Sequence, residues 1–359
     1  MNGRWQRRAT GIALTGLAGC AVAVFAERAE LAEAWLSAWF VVWELALGSL
    51  AMLMLHPLTG GRWGEALQPA LRTGALLLPA AAIMFLPLFA GLDHLYTWLP
   101  ALEGDGPAVT GWYLNEAFFV ARIALYLVLW PLLAVWLARA DGPAPRQGVA
   151  SAVLVLYALT VTTSSIDFVM ALTPHWSSTI FGMLLGTTAM LAGLNLALLR
   201  FTLIEGGARI APEQLHDVAG LLFMLVLLWA YLAFMQMLTV WVADLPREIR
   251  WYLPRRGLAG GAVALLVTML NFVVPFVVLL SSRAKRSVRA LGRLSVVLLT
   301  GQILYAWWLV IPSVRGGIEP DWVDPFALAA LLGLGAMFYR IGDGRSRAGS
   351  RAAQGAGHG

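Results

Sequence analysis

An all-α integral membrane protein of about ten transmembrane helices is the fold class the sequence predicts, on three observations. Of 359 residues, 60% are hydrophobic and only 13% are charged, against about 25% charged in a typical soluble domain. The apolar residues fall in unbroken runs of about 18 or more, the length that crosses a bilayer core. The segments between the runs are short, so no extramembrane domain is expected.

Ten runs are read as spans: 9–26, 36–55, 71–92, 113–137, 150–172, 177–203, 217–243, 258–280, 291–312 and 323–340. The first contains Leu-Ala-Gly-Cys after a basic start, which resembles a lipoprotein cleavage box at Cys20. Apolar residues continue past Cys20 and complete a membrane-length helix, so an uncleaved first span is expected. The second run holds Glu44, and the third is interrupted by Pro79 and Pro87. The fourth holds Arg122 and Pro131, and the fifth holds Asp167. In the sixth, Gly182, Gly186, Ala189 and Gly193 form a small-residue stripe of the kind that lets helices approach closely. Residues 341–359 read as a flexible basic tail, a solvated end near anionic lipid.

The net charge of +5 would suggest nucleic acid in a soluble protein. Here its distribution is what matters. The termini and the even-numbered connections carry 18 Lys and Arg residues and the other side six, with Arg122 inside a span. This bias places both termini of a multi-pass protein in the cytoplasm and argues against a nucleic-acid partner. The seventh connection breaks the rule with Arg247, Arg250, Arg255 and Arg256, which are expected to face an acidic partner or lipid headgroups.

A weak internal repeat is visible. "GWYLN" opens the fourth span at Trp112 and "RWYLP" precedes the eighth at Trp251, while Pro131 and Pro275 sit late in those two spans. Two parallel four-helix bundles related by an axis along the membrane normal would produce this pattern. The chain then divides into a first span and loop (1–35), a first bundle with the lead-in to the next span (36–149), the fifth span (150–176), a second bundle core (177–290), two last spans (291–340) and the tail.

Ionisable residues at membrane depth are costly and mark either ion pairs or function. Glu44, Glu116, Arg122 and Asp167 are the candidates. Asp167 or Glu44 is the better partner for Arg122, because Glu116 lies on another face of the same helix. Thr160, Thr163 and Ser164 share the face of Asp167 at helical spacing. Two readings stay open: a structural ion pair, or a proton path or polar pocket for a redox molecule. No pair of histidines lies at depth, since His56 and His216 fall at inner span ends, His94 and His175 at outer ones, and His358 in the tail. A b-type haem needs such a pair. One cysteine excludes a cysteine-ligated cluster within this chain, and no metal-ligand spacing, phosphate loop or nucleophile elbow is present.

"IDFVMALTPHWSSTIFG" at residues 166–182 and "LHDVAGLLFMLVLLWAYLAFMQMLTVWVADLPREIRWYLPR" from residue 215 resemble two stretches of one family. It is the second NrfD-like membrane subunit of alternative complex III, the bacterial quinol:cytochrome c (or electron-acceptor) oxidoreductase. The first stretch has an Asp and an aromatic residue ahead of Pro-His-Trp, and the second opens on His-Asp. The resemblance adds His175, His216 and Asp217 as lesser site candidates beside Asp167. Thr173 stands where the resemblance would place an acidic residue, a departure that weakens any proton-release role borrowed for that position. The resemblance implies a quinone- or quinol-linked, proton-moving subunit without its own metal. Its implied partners are an NrfD-like paralogue, an iron–sulfur subunit and haem c subunits. A secondary transporter and a passive scaffold are the alternative readings. In the short turn, Pro174 ends a span and Trp176 is expected at the outer headgroup level.

Overall fold

The computed structural model describes residues 3–26, 29–99, 113–139, 147–174, 176–204, 211–244 and 246–356. Those residues are overwhelmingly helical, with no strand among them. The protein is an all-α, multi-span membrane protein. Among the described residues, nine helical stretches are long and apolar enough to cross a membrane, and Val323–Tyr339 is a shorter apolar stretch within a tenth.

In chain order the main helices are α1 (Gly3–Phe25), α2 (Glu30–Thr59), α3 (Arg62–Ala75) and α4 (Leu78–Phe85). They continue with α5 (Glu116–Arg139), α6 (Gln147–Phe168), α7 (Phe181–Ile204) and α8 (Pro212–Ala243). The last four are α9 (Gly257–Thr268), α10 (Val274–Leu280), α11 (Val288–Arg315) and α12 (Val323–Ala356). The breaks sit where the sequence makes them. Pro79 cannot donate to the Ala75 carbonyl, and the third span is cut between α3 and α4. At Pro87 the helix tightens to a 3₁₀ segment, Leu86–Gly91. The eighth span is α9 and α10 joined by one π-helical turn, Met269–Val273.

Two circuits of helices pack side by side. In the first, α2 packs on α3 and α4, α4 on α5, α5 on α6, and α6 back on α2. In the second, α7 packs on α8, α8 on α10 and the π turn, α9 on α11, and α11 back on α7. The circuits share the α2–α7 seam, the largest contact between them, and α6 leans on α7 as α11 leans on α2. The seam is close because of glycine. A Cβ at Gly48 would collide with the Ala189 carbonyl, and one at Gly193 with the backbone of Gly48 and Ser49. Gly182 likewise faces the backbone of Thr162. Helix α1 lies along α12, with Gly16 against the Ala330 backbone and Gly333 against Ala13. It runs unbroken through Cys20, whose side chain is buried.

The interiors of the two circuits differ. The first is filled by interlocking aromatic rings: Trp39 stacks on Trp43 at 5.0 Å, Trp43 meets Trp130 at 4.9 Å, and Tyr126 stacks on Trp130 at 5.6 Å. Phe85 and Phe168 close edge-on against Trp39. The indole N–H of Trp39 donates to the Ala81 carbonyl and that of Trp35 to Met84, both at 2.8 Å, so these donors are satisfied inside the apolar core. The second circuit is hollow.

Candidate functional site

Arg122 on α5 and Asp167 on α6 form the bidentate pair that the sequence offered as one of two pairings. Arg122 Nε donates to Asp167 Oδ2 at 2.9 Å and Nη2 to Oδ1 at 2.8 Å. Tyr126, one helical turn along α5, donates its hydroxyl to Oδ2 at 2.8 Å. The remaining guanidinium nitrogen, Nη1, donates to the Tyr113 carbonyl at 2.9 Å, and the cation lies over the Tyr113 ring at 3.9 Å. Asp167 has no exposed surface. Chemically this is a clamp between two helices, in which desolvation is offset by hydrogen bonds on every side. Of the hydroxyls on its face, Thr160 accepts from Trp130 Nε1 at 2.9 Å. The carbonyls at the end of α6 are taken by Tyr96 and Trp98, which donate to Phe168 and Ala171.

Glu44 stands apart from that clamp. It is buried on α2, and its Oε1 has no hydrogen-bond partner. Beside it lies a cavity of about 20 Å³ lined by Ser164, Ser165 and apolar side chains, room for one water molecule. Glu116 is exposed in the first turn of α5, where Asn115 caps the helix by accepting from Phe118 N at 2.9 Å. His216 and Asp217 lie in the second turn of α8, with Asp217 exposed and His216 half-buried. His175 lies outside the described residues. The structure therefore joins Arg122 with Asp167 and leaves Glu44, Glu116 and the His216–Asp217 pair at separate places.

A pocket of about 630 Å³ has walls from α7, α8, α9 and α11. Its position in the second circuit matches the one that aromatic rings fill in the first. Helix α8 packs against the π turn and α10, but only marginally against α9. The π turn inserts an extra residue into its span and re-aims the helix before it. Between the diverging helices, Gly260, Gly261 and Ala264 present almost no side chain. The rest of the lining is aromatic: Trp229, Trp251, Tyr305 and Trp308 among others.

Arg255 closes one end of this space. Sequence position alone suggested a surface arginine, but Arg255 is 5% exposed and folds back onto α11. The reason is Pro312. Lacking an N–H, it leaves the Trp308 carbonyl without its helical donor, and Arg255 Nε supplies one at 3.1 Å. Nη2 reaches the Leu309 carbonyl and Ser313 Oγ, each at 2.8 Å, and Nη1 reaches the Trp251 carbonyl. The guanidinium lies over the Trp251 ring at 3.7 Å. Among the described residues it has no carboxylate partner. Burial pulls its pKa down to about 9, against small upward pushes from Tyr252 and Tyr305, so it stays a cation at neutral pH. Arg250 and Arg256 remain exposed.

The turn after α6 feeds this wall. Trp176 N donates to the Thr173 carbonyl at 2.9 Å, closing the turn at Pro174. Trp176 does not sit at a headgroup surface: it is 3% exposed and stacks on Trp251 at 4.8 Å. An aromatic partner inside the protein holds the indole more closely than an interface would. Two residues on, Ser178 Oγ donates to Gln236 Oε1. Of the pocket residues, the sequence singled out Trp251 and Arg255, but not as parts of a pocket. The one usable signal was aromatic and arginine crowding in "REIRWYLPRR".

No group of three or more His, Cys, Asp or Glu residues among those described is placed to hold a metal ion. No protein-family model matches the chain, and no curated protein is a match for it.

Proposed function

We propose that this chain is a membrane subunit of a quinol-oxidising respiratory complex of the alternative complex III type, and that its second helix circuit binds a quinone ring. The observation that carries this reading is the 630 Å³ pocket, lined by aromatic rings and ended by a buried cation. Ligand sites of this size are largely apolar with a few placed polar groups. A flat ring on an isoprenoid tail suits a pocket that opens between α8 and α9, whose outer faces are apolar. Tyr231, Phe234 and Met237 are all exposed there. The two sequence stretches that resemble the family include the Ser178 turn and the whole α8 wall. The electrons would be carried by partner subunits.

Glu44 gives the same reading a proton-handling group. It is a buried carboxyl with hydroxyls and space for a water beside it, and its Oε1 has no partner among the described residues.

A secondary transporter of repeated bundles would break matching spans in its two halves. The third span is broken at α3–α4, while its counterpart α8 is continuous from Pro212 to Ala243, which disfavours that alternative. The test is purification in mild detergent. The chain is expected to bring haem c-bearing partners with it, and a photoreactive quinone should label residues 227–237 or 260–268. Recovery as a partner-free homomer that moves solute would overturn the proposal.

A further inference from the structure

Helix α11 stands between the pocket and the Glu44 side of α2. On α2, Ser37, Ala38 and Val41 line a groove together with Ile303 and Leu304 of α11. Glu44 continues that face of α2, one turn on from Val41. On α11, Tyr305 and Trp308 turn to the pocket. Helix α7 repeats the relation: Leu184 lines the pocket, and its neighbour Leu185 lines the small cavity beside Glu44. The two spaces therefore lie at one level, on adjoining faces of α7. The Glu44 carboxyl is close enough for its charge to be felt at Tyr305 and at Tyr157. The Tyr157 hydroxyl is already committed to the Gly186 carbonyl at 2.9 Å. Tyr305 is different. Its ring is held edge-on to Trp229 at 5.4 Å and stacked with Trp308 at 6.1 Å, and its hydroxyl bonds to no described residue. Glu44 Oε1 is likewise unpartnered.

We propose that Tyr305 and Glu44 form a proton relay out of the pocket: a bound hydroquinone passes a hydroxyl proton to the Tyr305 oxygen as the Tyr305 proton passes to the Glu44 carboxylate. The proposal rests on the quinone reading above. No electron moves in this step. A ring O–H bond breaks, a carboxyl O–H bond forms, Tyr305 ends as it began, and the ligand is left as the hydroquinone anion. Electrostatics favours that direction. The negative charge leaves Glu44, whose cavity has no cation in its lining, and an unpaired buried charge is costly there. It arrives in the pocket of Arg255, a buried cation whose donors go to carbonyls and a hydroxyl and not to a carboxylate. A hydroquinone anion gives up electrons more readily than the neutral form, so the relay prepares the ligand for electron-carrying partners. Glu44 is emptied again into the water-sized cavity beside it, where the Ser164 and Ser165 hydroxyls can accept from the receiving molecule. Of the residues lining that cavity, Glu44 alone titrates.

The test is infrared and ultraviolet difference spectroscopy on the full chain in lipid nanodiscs, under anaerobic conditions, with a decyl-tailed hydroquinone. The pH is set where the free chain shows a carboxylate band that Glu44→Gln lacks. Adding hydroquinone should convert that band to the carbonyl stretch of a protonated carboxyl, as the ring spectrum changes to that of the anion. The oxidised benzoquinone has no proton to give and should leave the band in place. Tyr305→Phe removes the relay hydroxyl but keeps the ring, and should slow the conversion about a hundred-fold. A Glu44 carboxylate band that is absent at every pH, or that ignores bound hydroquinone, would overturn the relay and leave the quinone reading standing. Conversion at the parent rate in Tyr305→Phe would remove Tyr305 from its role. Failure of both ligand forms to bind would overturn the quinone reading itself.

Discussion

Arg122 and Asp167 meet edge to edge through two hydrogen bonds of 2.9 and 2.8 Å, and the Tyr126 hydroxyl takes a third position on the carboxylate. Nothing on Asp167 is exposed. A carboxylate fixed this way holds α5 against α6, and a proton relay would have to give up those bonds on each cycle. The clamp is thus the simpler account of the two buried charges.

Removing the negative partner should therefore be a stability experiment. Asp167→Asn leaves a buried guanidinium unpaired, at a cost of roughly 3–5 kcal/mol. We expect a lower melting temperature in detergent and reduced recovery of the assembled protein. The double variant Asp167→Asn with Arg122→Gln should recover much of the loss. If the single variant melts normally but turns over quinol slowly, Asp167 is a titrating group and the clamp account fails.

Glu44 should behave in the opposite way. It has no cation to lose, and an ionised carboxylate buried without one is unfavourable. Glu44→Gln keeps its shape and is expected to fold with unchanged or slightly higher thermal stability. In proteoliposomes the same variant should slow any proton movement coupled to quinol oxidation. A destabilised Glu44→Gln would show that the carboxylate makes a stabilising contact, and coupling at the parent rate would take Glu44 off the proton path.

Much of the architecture was legible because membrane depth forces it. Apolar runs gave the spans, Pro79 and Pro87 marked the broken one, and Gly182, Gly186 and Gly193 marked packed faces. The partner of Arg122 could be narrowed to Asp167 or Glu44 because lone charges in an apolar medium have few ways to be satisfied. The pocket was not legible, since it arises from what is missing. Run 258–280 looks uniformly apolar, and periodicity does not reveal that Met269–Val273 forms a π turn. Arg255 read as a surface residue because its partner, a carbonyl freed by Pro312, lies 53 positions away along the chain. Trp176 was misplaced for the same reason, its stacking partner Trp251 being supplied by a distant loop.

The α2–α7 seam offers a test of the fold itself. The Gly193 position faces the backbone of Gly48 and Ser49, which cannot move aside as a flexible side chain would. Gly193→Leu should separate the two helix circuits and cost more than the roughly 1–3 kcal/mol usual for overpacking. Loss of the folded protein in size-exclusion profiles is expected. Gly261→Leu is the control: its missing Cβ has open space around it, and this variant should fold. Normal behaviour of Gly193→Leu would contradict the seam.

Arg255 supplies the last prediction, because its role at the pocket and its role in the fold can be separated. Its fork reaches three carbonyls and Ser313 Oγ from one side chain. A lysine keeps the charge but has a single nitrogen, which cannot span from Trp251 to Trp308 and Leu309. Arg255→Lys should therefore leave the Trp308 carbonyl without a donor and destabilise the protein by roughly 1–3 kcal/mol. Pro312→Ala in the same chain restores a helical N–H to that carbonyl, so the double variant Arg255→Lys with Pro312→Ala should regain part of the lost stability. The single change Pro312→Ala should loosen Arg255, whose Nε then competes with the new amide. Thermal melts of the four proteins in nanodiscs, read as a double-mutant cycle, measure this coupling directly. Strictly additive effects would mean that Pro312 and Arg255 do not share the Trp308 carbonyl, and the explanation for why this arginine turns inward would fall.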